Sequence, residues 1–277
     1  MKHYHRVLGL VKLVRPVNFV LFFAGVLIGG LLYADGEPIQ GDALRRLVTA
    51  MCSAALIGAG ANAINDVFDI EIDRINRPNR PLPAGTVSTR TALLVWGVTS
   101  ALGVAAALTL SVAHVGIAVL SVGLLYAYSA QLKRMPLWGN LAVAVTVGLA
   151  PVYGALAAGG LGLAWLASVF AFATTLIREL VKDLEDIDGD RVHGARTFPI
   201  VAGQKRTRQF ALILLGLTLA GVPLPYLVFG LDGLYLLFGV LSAGALAYAA
   251  HRLTRPAASS AAMKIAMVAG LVALGVG

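Results

Sequence analysis

The feature that most constrains this chain is a series of uninterrupted apolar stretches, each about 20 residues long. A helix rises about 1.5 Å per residue, so a stretch of that length crosses a hydrocarbon layer of about 30 Å. Of the 277 residues, 58% are hydrophobic and 13% are charged, whereas about 25% are charged in an average soluble domain. This composition does not fit a water-soluble enzyme, and it predicts a chain that crosses a membrane several times.

The same stretches indicate helices and exclude a transmembrane barrel. Barrels need short strands that alternate apolar and polar residues, but residues 102–110 and 141–149 are continuously apolar. We therefore predict an all-α fold, a polytopic transmembrane helical bundle of nine helices around a central cavity, with residues 1–277 as a single membrane domain. Gly25 and Gly29 fit the small-residue pattern that lets membrane helices approach closely. The predicted spans are residues 17–34, 43–66, 89–108, 112–130, 137–158, 161–183, 207–229, 231–250 and 261–277.

Basic residues are distributed unequally between the two faces of such a bundle. With nine spans, 20 of the 22 Lys and Arg residues fall on one face and only Arg45 and Arg46 on the other. The positive-inside rule then places the amino terminus and these basic loops in the cytoplasm, in a protein of the cell membrane. The net charge of +8 is spread over short loops without interleaved aromatics, so no nucleic acid is expected as a partner. Membrane lipids or an anionic substrate fit better.

Ten of the 14 carboxylates lie in two short windows, residues 66–73 and 179–190. At about 100° per residue, the polar side chains of each window share one face of a helix. The first stripe contains Asn62, Asn65, Asp66, Asp69 and Asp73, and the second contains Glu179, Asp183, Asp186 and Asp190. The spans 43–66 and 161–183 run in the same direction, so both stripes reach the cytoplasmic face and can converge on one cavity. Glu185 and Asp188 point away from the stripe and are expected to be solvated.

Facing carboxylates predict a bound cation. At about 6 Å and an effective dielectric near 20, each pair repels by about 3 kcal/mol, so positive charge must lie between them. Oxygen ligands without His or Cys at metal-binding spacing favour Mg²⁺. Each window is followed by a basic stretch, residues 74–85 and 191–205, which hints at an internal repeat. Metal, basic residues and an apolar groove together suit an isoprenyl diphosphate donor.

Two motifs resemble a known family. Residues 65–73, Asn-Asp-Val-Phe-Asp-Ile-Glu-Ile-Asp, and residues 79–83, Asn-Arg-Pro-Leu-Pro, resemble the first signature of the UbiA superfamily of intramembrane prenyltransferases, and residues 186–190 match its second. The resemblance implies that Mg²⁺ on the donor diphosphate is held by Asn65, Asp69, Asp73, Asp186 and Asp190. It makes Asp66 and Asp183 additional acids of the catalytic set. It also implies that Arg80 and Lys133 lie near the diphosphate, and it relates Tyr128 to a Tyr-to-Lys motif that is less regularly spaced here.

Residues 178–191 and 73–78 most resemble the superfamily members that form the second ether bond of archaeal-type membrane lipids. On that interpretation the acceptor is the free glycerol hydroxyl of geranylgeranylglyceryl phosphate. Lys182 or Arg178 binds the acceptor phosphate, Asp66 or Glu179 accepts the proton, and Asn62 contacts substrate. Two alternatives stay open: a relative acting on an aromatic acceptor such as 4-hydroxybenzoate, and a cation-coupled secondary transporter. Transporter coupling sites usually lie near the bilayer midplane, so acids gathered at one face favour the enzyme.

Overall fold

The computed structural model describes residues 2–34 and 36–276, and this part of the chain contains helices and no strand. The all-α prediction is therefore confirmed. The first half forms α1 Lys2–Val14, α2 Pro16–Ala34, α3 Gly41–Phe68, α4 Ile70–Asn76, α5 Thr89–Leu108 and α6 Val112–Ala130. A short 3₁₀ turn, Leu132–Arg134, then leads into α7 Trp138–Ala158. The second half forms α8 Ala164–Glu185, α9 Ile187–Val192, α10 Phe198–Ala202, α11 Gln204–Gly221, α12 Leu224–Phe229, α13 Gly233–His251 and α14 Pro256–Val276.

The chain is a multi-pass membrane protein. In its described part, eight helical segments are long and apolar enough to cross a membrane, and a ninth is added if Val7–Val14 and Phe19–Ala34, bent by 43°, form one span. The predicted count of nine is therefore approximate. The span predicted over residues 207–229 corresponds to the candidate span Gln204–Phe229, which is interrupted because α11 ends at Gly221 and α12 begins at Leu224. Pro223 and Pro225 have no backbone N–H to donate, which interrupts the helix.

Close helix contacts hold the amino-terminal half together. A Cβ atom on Gly154 of α7 would lie 1.8 Å from the carbonyl oxygen of Val26 in α2. A Cβ on Gly29 of α2 would lie 1.8 Å from the carbonyl oxygen of Pro151 in α7. These two backbones touch because both positions are glycine, as the small-residue pattern predicts for Gly29. The contact fixes α2, and with it the end of α1, beside the central helix α3.

Both acidic windows lie where a helix bends. Asp69, between α3 and α4, has φ −96° and ψ 2°, and Asp186, between α8 and α9, has φ −94° and ψ 5°. Hydrogen bonds four residues apart continue across each bend, from Asp73 N to Asp69 O at 2.8 Å and from Asp190 N to Asp186 O at 2.9 Å. The continuous helices assumed for the two stripes are therefore corrected to bent ones. The matching bends support the internal repeat.

A small central apolar cavity of about 30 Å³ lies between α2, α3, α6 and α7. Phe22, Gly58, Leu125 and Tyr153 are among its lining residues. Gly58 gives the Phe22 ring its place, because a Cβ there would lie 2.4 Å from a ring carbon. Along α3 the cavity ends at Gly58, eight residues before Asp66, so it lies deeper in the bundle than the acids.

Candidate active site

The first acidic cluster is centred on Asp66 of α3 and Asp73 of α4, both of which are buried. One nitrogen of Arg80, Nη1, lies 2.5 Å from Asp73 Oδ2 and 3.4 Å from Asp66 Oδ1. Arg15 Nη2 approaches the same Asp66 oxygen to 2.5 Å. The structure thus joins Asp66, Asp73 and Arg80, which the sequence predicts as site residues, to Arg15, which it does not.

Arg15 belongs to the junction between α1 and α2. Its φ of +51° is left-handed, an uncommon conformation for a residue other than glycine. Next to it, Asn62 Nδ2 donates a hydrogen bond to the carbonyl oxygen of Val14 at 3.1 Å. Asn62 therefore binds the end of α1, and its predicted contact with substrate stays a prediction. In the sequence, Arg15 stands directly before Pro16 and the first apolar span. That position indicates a charge at the membrane surface but not a contact with Asp66.

Lys133 connects a separate loop to the first cluster. Its Nζ donates to Asp69 Oδ1 and lies 3.4 Å from Asn65 Oδ1. Asn65 Nδ2 in turn donates to Asp69 Oδ2 at 2.9 Å. Burial lowers the pKa of Lys133, and the neighbouring Asp69 carboxylate opposes that shift. The predicted pair of Asn65 and Asp69 is thus held by a lysine that lies outside the spans.

The second acidic cluster lies at the end of α8. Arg178 Nη1 and Lys182 Nζ reach the buried Glu179 carboxylate at 2.9 Å and 3.0 Å. Both basic residues that the sequence analysis assigns to the acceptor phosphate are therefore engaged by one acid. Asn140 of α7, which the sequence analysis does not select, donates to Asp183 Oδ2 at 2.9 Å.

The remaining acids of this cluster lie at its outer edge. Asp186 is exposed and Asp190 is half-buried. Burial raises the pKa of the Asp190 carboxyl. Glu185 and Asp188 are exposed, as expected for solvated residues.

Tyr128 of α6 lies between the two clusters. Its side chain is within electrostatic reach of Asp69 on one side and of Glu179 and Asp183 on the other. Tyr126 packs elsewhere, with its ring centroid 5.4 Å from that of Trp96 and 5.7 Å from that of Phe68. The space beside Tyr128 is therefore near acids of both windows, whereas Tyr126 belongs to a separate aromatic group.

The charges of this space suit a divalent cation together with an anionic ligand. Asp66, Asp69 and Asp73 are matched by three cations, and in the second cluster Arg178 and Lys182 both contact Glu179. Over residues 2–34 and 36–276, no three His, Cys, Asp or Glu side chains are close enough together to hold a metal ion. The acids of both clusters nonetheless offer oxygen donors, which Mg²⁺ prefers.

Comparisons of the sequence agree on one family. The model of the UbiA prenyltransferase family matches residues 20–271. A digeranylgeranylglyceryl phosphate synthase from Thermococcus gammatolerans is 42% identical over 202 residues, which cover 73% of this chain and 71% of that protein. The corresponding synthase from Natronomonas pharaonis is 41% identical over 278 residues, covering 98% of this chain and 97% of that protein.

Solved structures show the same arrangement of helices. A structure described as digeranylgeranylglyceryl phosphate synthase in membranes has a TM-score of 0.78 and 29% identity, and the match covers 98% of each chain. A UbiA homologue from Archaeoglobus fulgidus bound to GPP and Mg²⁺ has a TM-score of 0.68 and 20% identity, covering 96% of this chain and 99% of that one. The second likeness concerns the fold alone.

Proposed function

Because the chain belongs to the UbiA prenyltransferase family, we propose that it transfers a geranylgeranyl group from geranylgeranyl diphosphate to the glycerol hydroxyl of geranylgeranylglyceryl phosphate. The membrane prenyltransferase activity is the premise, and the two substrates are the proposal. One observation carries it: beside the acids that face Tyr128 lie two separate groups of cations, one around Asp66, Asp69 and Asp73 and one around Glu179. Two groups of cations suit two phosphorylated substrates. We assign the reaction to residues 1–277 as one domain.

The donor diphosphate occupies the first cluster. Arg80 and Lys133 donate to its oxygens, and Arg15 lies close enough to Asp66 to join them. The metal ligands in this proposal are Asn65, Asp69, Asp73, Asp186 and Asp190. When bound, Mg²⁺ supplies positive charge that stabilises the departing diphosphate. The A. fulgidus relative of the same fold holds GPP and Mg²⁺, which is the class of ligand that these side chains suit.

The donor tail extends from the first cluster along α3 towards the small apolar cavity between Phe22 and Tyr153, which must widen to admit it. The bond between the allylic carbon and the diphosphate oxygen breaks, and the acceptor hydroxyl oxygen bonds to that carbon. The Tyr128 ring faces the developing positive charge on the prenyl group, a favourable interaction with the electron-rich face of an aromatic ring. Because the apolar surroundings of the prenyl group exclude water, the acceptor hydroxyl, and not water, attacks the allylic carbon.

The acceptor phosphate binds Arg178 and Lys182. Both cations contact Glu179 in the structure. A phosphate that draws them away leaves the Glu179 carboxylate beside the acceptor, where it takes the hydroxyl proton. Asp66 is the weaker candidate for the base, because Arg15 and Arg80 both hold it. We therefore assign Asp66 to positioning these two arginines.

The test offers the purified protein geranylgeranyl diphosphate with either geranylgeranylglyceryl phosphate or 4-hydroxybenzoate, in Mg²⁺ or in EDTA, and identifies products by mass. We expect digeranylgeranylglyceryl phosphate and free diphosphate only in Mg²⁺. A prenylated benzoate as the sole product would transfer the proposal to the aromatic acceptor. Equal amounts of product in EDTA and in Mg²⁺ would show that the reaction does not need the metal ion.

We further propose that the acids and the amino terminus face the cytoplasm. Asp42 lies at the amino-terminal end of α3, and Glu71 lies in α4, just beyond the other end of α3. Both side chains are exposed. With Cys52 replaced by Ser, D42C should react with a membrane-impermeant maleimide in intact cells, and E71C only after permeabilisation. The reverse pattern would invert the orientation.

A further inference from the structure

A second cavity, of about 410 Å³, lies in the half of the bundle remote from the acids. It lies between α8, α11, α12, α13 and α14, and its walls include Phe170, Gly221, Ser242 and Gly270. The cavity is open on one side, where the lining side chains of Val169, Leu217 and Val228 are exposed. Phe170 precedes Asp183 by thirteen residues along α8, which corresponds to about 20 Å at 1.5 Å per residue. Ala173, the lining residue of α8 that is nearest to the acids, precedes Glu179 by six residues, or about 9 Å. The cavity therefore begins about 9 Å from the second acidic cluster and extends away from it along α8.

The hydroxyl groups that line this cavity are already bonded. Thr218 Oγ1 donates to the carbonyl oxygen of Leu214 at 2.8 Å, and Ser242 Oγ donates to that of Ala266 at 2.9 Å. The Tyr235 hydroxyl donates to the carbonyl oxygen of Val222. Because these hydroxyls have backbone partners, the wall presents mainly apolar surface to an occupant.

The cavity is separate from the proposed donor site. A tightly packed core of Ile177, Val181, Leu215, Leu246 and Met263 joins the same helices on the side of the acids. The central cavity is lined by α2, α3, α6 and α7, and the two cavities have no lining residue in common. An occupant of the second cavity is therefore not the tail of a donor bound at Asp69.

The outer wall of the cavity faces lipid. The span formed by α11 and α12 has 11% of its apolar window buried, the lowest share of the candidate spans in the described part of the chain. Pro223 and Pro225 break this span beside the cavity. An apolar protein cavity of about 150 Å³ binds benzene, so a larger one beside the bilayer has room for a hydrocarbon chain.

We propose that this cavity binds one hydrocarbon chain of a membrane lipid from the leaflet opposite the acidic clusters. The chain enters beside α11 and α12 and packs against Phe170 and Gly270. It fills the space beside the Phe170 ring, which already packs against Gly270, and it links the loosely packed span to α8, α13 and α14. The site is independent of the proposed substrates.

The test uses the full chain in phosphatidylcholine vesicles that contain a lipid with a diazirine on one acyl chain. After irradiation, labelled peptides are mapped by mass spectrometry. We expect label at Ser242, which is fully buried and therefore out of reach of the lipid around the protein. Val240, whose side chain is exposed on the same helix, should be labelled in every sample.

Filling variants distinguish an occupied cavity from labelling by surrounding lipid. Gly221→Phe places a ring in the cavity, whereas Gly216→Phe lies on the same helix outside the lining, and both glycines have open space at Cβ. Label at Ser242 should fall several-fold in Gly221→Phe and stay unchanged in Gly216→Phe. Ala173→Leu fills the cavity from α8 and should also lower the label at Ser242. This second variant keeps the test decisive if Gly221→Phe does not fold. Absence of label at Ser242, or label that both filling variants leave unchanged, would overturn the proposal.

Discussion

Removing the Arg80 side chain tests whether the first acidic cluster is held together by charge. The Arg80, Asp66 and Asp73 side chains are 18%, 2% and 6% exposed, so water screens them little. Arg80→Met keeps an apolar stem of similar length and removes the guanidinium. Asp66 then retains Arg15, whereas Asp73 loses its ion-pair partner.

The structure sets the size of the expected effect. At 2.5 Å and 3.4 Å, and with an effective dielectric near 20, the attractions are about 7 and 5 kcal/mol. Desolvation of the three charges offsets much of that gain. Breaking a buried pair by removing one partner costs about 3–5 kcal/mol in practice. We expect Arg80→Met to lower the free energy of unfolding by about 3 kcal/mol, at the low end of this range, because Asp66 keeps its ion pair with Arg15.

Arg74→Met is the matched control. Arg74 lies 2.8 Å from Glu71, but the two side chains are 58% and 75% exposed, and such surface pairs contribute about 0–1 kcal/mol. The assay is reversible unfolding of the purified protein in mixed micelles by SDS titration, in EDTA. The free energy of unfolding of Arg80→Met should be lower than that of Arg74→Met by at least about 2 kcal/mol. Equal free energies of unfolding would refute the electrostatic role of Arg80.

Three further predictions concern the site, the helix packing and the cavity. Asp186→Asn should lower turnover about 10²–10³-fold, whereas Asp188→Asn, on an exposed side chain, should stay near wild type when product is measured by mass. Gly154→Ala should destabilise the fold in the SDS assay, because α2 backbone occupies the place of the new Cβ, whereas Gly123→Ala has open space there and should be tolerated. Tyr153→Ala should deepen the central cavity and shift preference towards longer prenyl diphosphates in a competition assay; an unchanged product ratio would place the tail elsewhere.

The helical membrane fold and the two acidic windows can be predicted from the amino-acid sequence without coordinates. Apolar stretches of about 20 residues have one stable solution in lipid, because a helix satisfies its own backbone hydrogen bonds. The windows around Asp69 and Asp186 are visible without coordinates because carboxylates are rare in such a chain. Neighbours along one helix, such as Asn65 and Asp69, are also set by local geometry, four residues apart.

Only the tertiary structure decided how charges from different helices pair. Arg15 and Asp66 are 51 residues apart, and Lys133 and Asn65 are 68 residues apart, so no local periodicity links them. Asn140 reaches Asp183 for the same reason, since their helices meet only when the bundle packs. The second cavity also follows from packing, because a helix interrupted at Pro223 leaves space that depends on where its neighbours lie. Local chemistry fixes which groups are present, and long-range packing fixes which of them touch.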